Sequence, residues 1–259
     1  VGDSWDLNYY SEQFGGNSRC SPSNFLVVDH HLYRCFTPGD VLKSAKDHAS
    51  LAKRGGGTHS WMSGMAQRAN GNVIIGEWSC ALHHTSFRSG DKRAQQADWG
   101  HSQLQMFNEL CAGSFFWTLK KEGGKDAGWC LYSAIEEGVL PQNIAQLPPF
   151  GGTASKSRDE MDAFGQRECH NATQGHAGYW DSQGGQYEHW RFEEGFRTAW
   201  QDCLAFWHDG GYSKIGFKDN WCKLRMSQHC QARGQSQCVW EYEHGFKAAL
   251  QAFENYIHS

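Results

Sequence analysis

The segment Asn72-Val73-Ile74-Ile75-Gly76-Glu77-Trp78 is a short, continuous apolar run that ends in a carboxylate and an indole. Two further segments have the same form, Asn24-Phe25-Leu26-Val27-Val28-Asp29-His30-His31 before it and Gly113-Ser114-Phe115-Phe116-Trp117-Thr118-Leu119-Lys120 after it. Continuous rather than alternating apolar character predicts strands buried on both faces, as in a parallel sheet covered by helices. Residues 91–110 predict a helix between the second and third strands. Strands and helices in alternation indicate the α/β class.

Functional side chains stand at the carboxyl end of each predicted strand. His31 and Tyr33 follow the first strand, Glu77 and Trp78 end the second, and Trp117 lies near the end of the third. Because the carboxyl ends of parallel strands meet at one edge of a sheet or barrel, we expect these side chains to converge. The sequence therefore predicts a rim that combines a carboxylate, an imidazole, a phenol and aromatic rings.

Composition excludes several classes of protein. The 259 residues carry 24 Lys+Arg against 28 Asp+Glu, a formal net charge of -4, which argues against a nucleic-acid partner because phosphate binding needs clustered positive charge. No run approaches the roughly 20 apolar residues that span a bilayer, so no membrane span is expected. The chain has 12 Trp, a density that suits sugar-binding clefts, although packing in the core explains most single Trp residues better.

Cysteine usage and one sequon predict an extracellular or cell-wall location. The 10 Cys are even in number and scattered, which fits disulfides in an oxidising compartment better than a zinc site. Asn171-Ala172-Thr173 is a glycosylation sequon, so Asn171 is a candidate attachment site. The chain starts at Val1, so we expect either a removed leader or a longer protein around it.

A Pro/Gly/Ser-rich stretch, residues 146–155, predicts a linker between two domains, 1–148 and 149–259. The second domain contains a repeat at a spacing of 50, in which residues 190–199 realign with residues 240–249. We interpret the repeat as a duplicated helix in a small α-helical module. Packing between the two copies is the favoured role of its aromatic residues, and a sugar-binding surface is the alternative.

Gly76-Glu77-Trp78-Ser79 carries the sharpest chemical signal. A retaining glycosidase needs a carboxylate that attacks the anomeric carbon and a second carboxylic acid about 5–5.5 Å away that protonates the leaving oxygen. The attacking group must be ionised, and a neighbouring hydroxyl and imidazole suit it. Tyr33 and His31 are in position to supply that environment from the neighbouring strand end.

Three motifs together resemble a known family. Residues 27–36 (VVDHHLYRCF), 74–79 (IIGEWS) and 115–122 (FFWTLKKE) occur in the order and approximate spacing of the fungal exo-β-1,3-glucanases of glycoside hydrolase family 5. The resemblance covers roughly residues 1–145. It implies a (β/α)8 barrel, a retaining double-displacement mechanism, and β-1,3-glucan polysaccharide or oligosaccharide as substrate.

The resemblance assigns roles to individual residues. Glu77 is similar to the nucleophile that forms the glycosyl-enzyme. His31 and Tyr33 resemble the His-x-Tyr pair that contacts the nucleophile and the first sugar. Phe36 resembles one half of an aromatic clamp, with core packing an equal alternative, and Trp117 resembles the platform beneath the sugar.

Trp78 and His84 complete the predicted substrate-binding set, since both stand at or just after the end of the Glu77 strand. The 14 His residues raise the question of a metal, but no pair has zinc-finger or HExxH spacing. Hydrolysis by two carboxylates requires no metal, and we expect neither a metal nor a cofactor.

The chain departs from the family at the acid/base residue. The family's acid/base glutamate follows an Asn at the end of the fourth strand, whereas Asn108-Glu109 lies in the predicted helix before Phe115. Residues 1–5 resemble the end of the fifth strand. We therefore expect the C-terminal half of the TIM barrel, strands five to eight, followed by the helical module. The missing N-terminal half would be the chain's partner, covalent or docked, and the chain alone would be inactive.

Two alternatives remain open. The same chemistry would serve β-1,6- or β-1,4-glucan, because subsite shape depends in part on the missing half. From another class, the chain would be a non-catalytic carbohydrate-binding or cell-wall structural protein whose Trp-rich face holds glycan.

Overall fold

The structure is a computed structural model that describes residues 2, 4–15, 26–142, 144, 156–210 and 216–258. The described residues fall into two compact units, one up to Ile144 and one from Lys156 onwards. The predicted linker, residues 146–155, and the predicted boundary between residues 148 and 149 lie outside the described residues.

The first unit is a small parallel sheet with helices. Its strands are β1 (Val28–Leu32), β2 (Val73–Trp78) and β3 (Gly113–Phe116), paired in that order and all parallel. Its helices are α1 (Leu7–Gly15), α2 (Pro38–Val41), α3 (Ala45–Ala52), α4 (Gly57–Arg68), α5 (Lys92–Leu110) and α6 (Leu131–Glu136). The predicted parallel pairing and the helix before Phe115 are both present. A parallel bridge from Gly2 to Asp29 continues the sheet beyond β1.

The third strand is shorter than the sequence predicts. It ends at Phe116. The backbone N–H of Trp117 still donates to the carbonyl of Trp78 on β2 over 2.7 Å, but the next residue bonds to a different part of the chain. Thr118 then exchanges backbone hydrogen bonds with Trp129 and Leu131 over 2.8 and 2.9 Å. This second pairing carries the loop that bears Trp129 back towards the end of the sheet. The peptide bond between Trp117 and Thr118 is cis.

The second strand contains an extra residue. β1 pairs His30 with Ile75 and then His31 with Glu77, which leaves Gly76 unmatched. The pairing of β2 with β3 shifts in the same stretch. A bulge of this kind adds one residue to one strand and changes which face the following side chains occupy.

The bulge decides which side chains of β2 enter the core. Strict alternation would place Glu77 on the same face as Val73 and Ile75, both fully buried. With the extra residue, Trp78 joins that buried face and Glu77 lies on the opposite one. The core on the buried face is built from the sheet, α1, α4, α5 and the segment after α6, and its largest fully buried members are Leu7, Met62, Ile75, Trp78, Trp99, Met106, Phe107 and Leu140.

The second unit consists of two helical hairpins, α7 (Arg158–Gln183) with α8 (His189–Gly210), and α9 (Lys218–Arg233) with α10 (Val239–His258). The sequence repeat falls on α8 and α10, which pack against each other. Both hairpins turn through a glycine with positive φ at equivalent positions, Gly184 at 72° and Gly234 at 85°. Left-handed backbone of this kind is open to glycine at little cost.

Two equivalent glycines set the distance between α8 and α10. A Cβ on Gly195 would lie 2.2 Å from the carbonyl oxygen of Tyr242, and a Cβ on Gly245 would lie 1.9 Å from that of Phe192. The helices thus cross backbone to backbone, with Phe192, Phe196, Tyr242 and Phe246 buried around the crossing. These four aromatic residues of the repeat therefore serve packing, the favoured interpretation, whereas Trp190 is 44 % exposed.

The cysteines depart from the disulfide expectation. Nine cysteines lie among the described residues, and all nine are free thiols: Cys35, Cys80, Cys111, Cys130, Cys169, Cys203, Cys222, Cys230 and Cys238. Within that part of the chain, the argument from disulfides to secretion finds no support, and secretion stays a prediction. No helix in the described ranges has the length and apolar character needed to cross a bilayer.

Candidate active site

A hydrogen-bonded carboxylate lies at the carboxyl end of the sheet. Tyr33 donates its hydroxyl to Oε2 of Glu77 over 2.7 Å, and Nδ1 of His31 lies 3.3 Å from the same oxygen. The Glu77 side chain is 27 % exposed, on the face of the sheet opposite the core. The structure thus brings together the three residues that the sequence assigns to catalysis.

Tyr33 is held by aromatic packing as well as by its bond to the carboxylate. Its ring centroid lies 5.6 Å from that of Phe36 and 5.6 Å from that of Trp129. Burial, together with the hydrogen bond to Glu77 and its charge, raises the pKa of Tyr33. The phenol therefore stays protonated at neutral pH and acts as a donor to the carboxylate.

His31 lies between two carboxylates. Its Nδ1 approaches Glu77, and its Nε2 lies 3.6 Å from Oδ2 of Asp29, while Trp5 packs edge-on at 5.8 Å between centroids. Asp29 and His31 share a face because they are two residues apart on β1. Asp29 was not singled out from the sequence, although this two-residue spacing from His31 would have marked it.

Gly76 allows the Asp29 side chain to lie over β2. A Cβ at Gly76 would come within 1.9 Å of Oδ1 of Asp29, so only glycine leaves room for the carboxylate in this position. The Oδ1 atom is buried and has no hydrogen-bond partner among the described residues. Asp29 is therefore fixed by sterics on one side and faces His31 on the other.

The aromatic residues predicted to contact substrate have different surroundings. Phe36 is 68 % exposed and lies 6.0 Å from Trp129 between ring centroids, which places it beside the Tyr33 group. Trp117 is 50 % exposed and follows β3. Trp129 was not predicted from the sequence, because it comes from a loop 13 residues after the end of β3.

The prediction that Trp78 binds substrate is wrong. Trp78 is only 1 % exposed, and its ring packs against Phe107 and Phe116 at 5.4 and 5.1 Å between centroids. The bulge at Gly76 turns this side chain into the core. His30, the neighbour of His31 on β1, is buried against Trp61 at 5.6 Å between ring centroids.

His84 and Asn171 lie outside this group of residues. His84 is exposed in a short 3₁₀ turn, His84–Ser86, and its ring lies 4.2 Å from that of His83. No hydrogen bond or ring contact between His84 and the described residues around Glu77 is present. Asn171 is exposed on α7, in the second unit.

Glu109 lies near the carboxyl end of α5 rather than at a strand end. It accepts a hydrogen bond from Arg54 over 2.7 Å, and His59 lies 3.4 Å from its other oxygen. These contacts occupy its carboxylate on the helical layer, as expected from its place in the predicted helix. Asn108-Glu109 is therefore not a strand-end pair in this fold.

The chemistry available at the Glu77 group follows from these contacts. A carboxylate that accepts a phenol hydrogen bond, and is open on one face, can act as a nucleophile or a base towards a bound ligand. Exposed aromatic rings such as Phe36 and Trp117 offer flat apolar faces of the kind on which a pyranose stacks.

Comparisons with known proteins find similar sequences for both units of the chain. Residues 161–257 match the family described as "Glucan 1,3-beta-glucosidase 3 C-terminal domain". Over 96% of the chain, 31% of residues are identical to Glucan 1,3-beta-glucosidase 3 of Schizosaccharomyces pombe, of which 49% is covered. An uncharacterized glycosyl hydrolase of Saccharomyces cerevisiae is 30% identical over 90% of the chain and 43% of its own length.

A third relative, Glucan 1,3-beta-glucosidase 2 of Wickerhamomyces anomalus, is 26% identical over 49% of this chain and 33% of its own length. The chain thus spans about half or less of the curated relatives it matches. The second unit is thus similar to the C-terminal domain of one glucosidase family, and most of the chain is similar to fungal proteins named as glucosidases or glycosyl hydrolases.

Proposed function

We propose that this chain is part of a retaining glycosidase that acts on β-glucan, with β-1,3-glucan as its preferred substrate and Glu77 as its nucleophile. The observation that carries the proposal is the 2.7 Å hydrogen bond from Tyr33 to Glu77, with His31 at 3.3 Å, on an open face of the sheet. The names of the relatives support the substrate class, since the Schizosaccharomyces pombe and Wickerhamomyces anomalus proteins are both glucan 1,3-beta-glucosidases.

The proposed reaction proceeds by double displacement. A carboxylate oxygen of Glu77 attacks the anomeric carbon, an ester bond forms, and the glycosidic bond breaks as its oxygen takes a proton from a second carboxylic acid. Water then attacks the same carbon and gives its proton to that second carboxylate. The ester bond breaks, and Glu77 is released as a carboxylate.

The contacts suggest separate roles for the two oxygens of Glu77. Tyr33 and His31 both approach Oε2, and no described residue bonds to Oε1. We assign the attack to Oε1. Oε2 then keeps its position relative to β1, which fixes the direction of the attacking oxygen and reduces the entropy lost on reaching the transition state.

We further propose that β1 to β3, with the strand that bridges at Gly2, correspond to strands five to eight of a (β/α)8 barrel. The other half of the barrel, and with it the acid/base glutamate, would come from the part of the longer protein that the relatives contain. The 49% coverage of the Schizosaccharomyces pombe relative is consistent with this arrangement. The 259-residue chain alone would then be inactive.

The test of the nucleophile is Glu77→Gln in the full-length protein. We expect hydrolysis of laminarin to fall at least about a thousandfold, with binding of laminarin retained, because the amide cannot form the glycosyl ester. Glu109→Gln is the matched control and should leave hydrolysis unchanged, since Glu109 lies on α5 and its carboxylate is bonded to Arg54. Undiminished hydrolysis by the Glu77→Gln enzyme would transfer the role to another residue.

Two further measurements address the fragment and the substrate. Turnover of laminarin by the isolated 259-residue chain would refute the proposal that the acid/base residue lies elsewhere. A panel of linear β-1,3-, β-1,6- and β-1,4-glucans, assayed with the full-length protein, would identify the linkage. We expect the highest kcat/KM with the β-1,3-linked glucan.

A non-catalytic glycan-binding role is the second candidate function. The exposed rings of Phe36 and Trp117 support it, because they would bind sugar whether or not Glu77 reacts. The two candidates differ in a single assay. A full-length protein that binds laminarin but releases no glucose or oligosaccharide would favour the binding role.

A further inference from the structure

A second cluster of potential ligands lies in the helical unit. Nε2 of His176, on α7, is 2.9 Å from Oε2 of Glu241, on α10. Nδ1 of His189, at the start of α8, is 2.7 Å from the same oxygen. Each of these three atoms lies within 4.8 Å of the other two. Among the described residues, these three side chains bring ligand atoms close enough together to share a metal ion.

We propose that His176, His189 and Glu241 bind a zinc ion. The proposal is independent of the glycosidase assignment, since the residues lie in the other unit and none of them takes part in the Glu77 group. The expectation from the sequence that no metal site exists rested on chain spacing. Here the ligands come from three helices, and Glu241 is 52 residues beyond His189 in the chain.

Two imidazoles and one carboxylate are a ligand set that zinc uses when three protein ligands bind it and a fourth position is left for water. Zinc bonds to nitrogen and oxygen measure about 2.0–2.2 Å, so ligand atoms of a tetrahedral site stand about 3.4 Å apart. The contacts of 2.7 and 2.9 Å would have to open by roughly half an ångström to admit the ion.

Neighbouring groups hold two of the ligands in the required orientation. Nε2 of His189 lies 3.1 Å from Oδ1 of Asp181, and the backbone N–H of Glu188 donates to Oε1 of Glu241 over 2.6 Å. With zinc on Nδ1, a neutral His189 ring satisfies both sides, because its Nε2–H donates to Asp181. Carboxylates that accept from the far nitrogen of a ligating histidine are typical partners of zinc sites.

Packing also fixes the two rings. His176 stacks on Phe192 at 4.2 Å between centroids, and Tyr187 stacks on His189 at 5.5 Å. Glu241 is 0 % exposed, whereas the His189 side chain is 22 % exposed. The ion would therefore enter, and keep its water, on the His189 side, with ligands that lose little further freedom on binding.

The duplicated hairpin supplies an internal comparison. The residue equivalent to Glu241 in the repeat is Arg191, which is also buried and has its Nη1 atom 2.7 Å from Nε2 of His229. A guanidinium has no lone pair for a metal and repels a cation. The two copies of the repeat thus have the same backbone fold, but only the position of Glu241 supplies a carboxylate that can bind a metal.

The test is zinc binding by the 259-residue chain, purified without a histidine tag, treated with chelator, and dialysed against micromolar free zinc. We expect one zinc per chain by elemental analysis. His189→Gln and Glu241→Gln should each weaken binding at least about a hundredfold, and Asp181→Asn about tenfold to a hundredfold. His170→Gln is the matched control, because His170 is exposed on α7 and should leave binding unchanged.

Cobalt substitution distinguishes this site from the free thiols. Cobalt bound by two imidazoles and a carboxylate gives visible d–d bands without a thiolate charge-transfer band in the near ultraviolet. Circular dichroism of the metal-free variants establishes whether they fold. If Glu241→Gln fails to fold, the test rests on His189→Gln, because His189 is only partly buried. Absence of zinc, binding unchanged in His189→Gln, or a thiolate band would each overturn the proposal.

Discussion

Each unit of this protein contains a carboxylate contacted by Nδ1 of a histidine, but the two carboxylates differ in their access to solvent. Glu77 is 27 % exposed and is approached by one imidazole and one phenol. Glu241 is fully buried and is approached by two imidazoles and a backbone N–H. Similar hydrogen-bond donors therefore surround both carboxylates, and the difference in their exposure to solvent gives them different functions.

The difference shows that burial decides whether a carboxylate can react with a substrate or serves only the structure. A substrate can reach the open face of Glu77, whereas the enclosed Glu241 can only stabilise its neighbours or hold a small ion. A buried carboxylate without such donors would be costly, so its partners are part of the stability of the unit.

Each unit also depends on a glycine at a close approach. Gly76 makes room for the side chain of Asp29, and Gly245 makes room for the backbone of Phe192. A side chain can rotate away from an added methyl group, whereas a helix backbone moves only if the whole packing interface moves. We therefore expect the helical unit to tolerate a change at its glycine less well.

The largest expected effect on stability is that of Gly245→Ala. The new Cβ would lie 1.9 Å from the carbonyl oxygen of Phe192, so α8 and α10 must separate, at a cost of about 3 kcal/mol. Thermal and urea unfolding followed by circular dichroism would measure it. Gly178→Ala on α7 is the control, because open space surrounds that position and alanine should stabilise the helix by about 0.5–1 kcal/mol. Equal effects of the two changes would contradict the backbone crossing.

The two carboxylates should differ in stability when each is changed to its amide. Glu241→Gln replaces a buried acceptor of three hydrogen bonds and should lower the free energy of unfolding by about 2 kcal/mol. Glu77→Gln, at a partly exposed position, should change it by less than about 0.5 kcal/mol. Urea unfolding of the metal-free chain measures both. A larger loss for Glu77→Gln would reverse the comparison.

Tyr33→Phe removes the hydroxyl that bonds to Glu77 and keeps the ring that packs on Phe36 and Trp129. We expect kcat/KM of the full-length protein for laminarin to fall about tenfold, because a hydrogen bond to a charged group is worth about 1.5 kcal/mol or more. Tyr132→Phe, at an exposed tyrosine, is the control. Equal activity of the two variants would remove Tyr33 from the catalytic group.

The smallest expected signal is the labelling of cysteine thiols in the native chain by Ellman's reagent. Burial raises the pKa of Cys222 to about 12, and burial and the Asp40 charge raise that of Cys35 to about 11. Thiolates of these two residues are therefore scarce at about pH 8, whereas hydrogen bonding to Ser133 lowers the pKa of Cys130. Ellman's reagent should label fewer sites in the native chain than in the denatured one, in which at least nine should react. Fewer than nine in the denatured, unreduced chain would indicate disulfides and support secretion.

Local sequence was enough to predict the elements and part of the site. Continuous apolar runs predict strands, and the strand ends place Glu77, His31 and Tyr33 at one edge because parallel strands run in the same direction. The burial of the Trp78 side chain in the core could not be predicted in this way. It depends on a bulge at Gly76, and a bulge is a property of the pairing between strands rather than of one strand.

The sequence by itself determined the parallel strands, the helix before Phe115 and the repeated helix, because each depends on periodicity along a single segment. Only the tertiary structure decided that Trp78 packs on Phe107 and Phe116, that Trp129 stands beside Tyr33, and that Glu241 meets two histidines from other helices. These contacts join residues far apart in the chain or on neighbouring strands. Their distances depend on how closely backbones approach, which glycines and a bulge determine after the elements have formed.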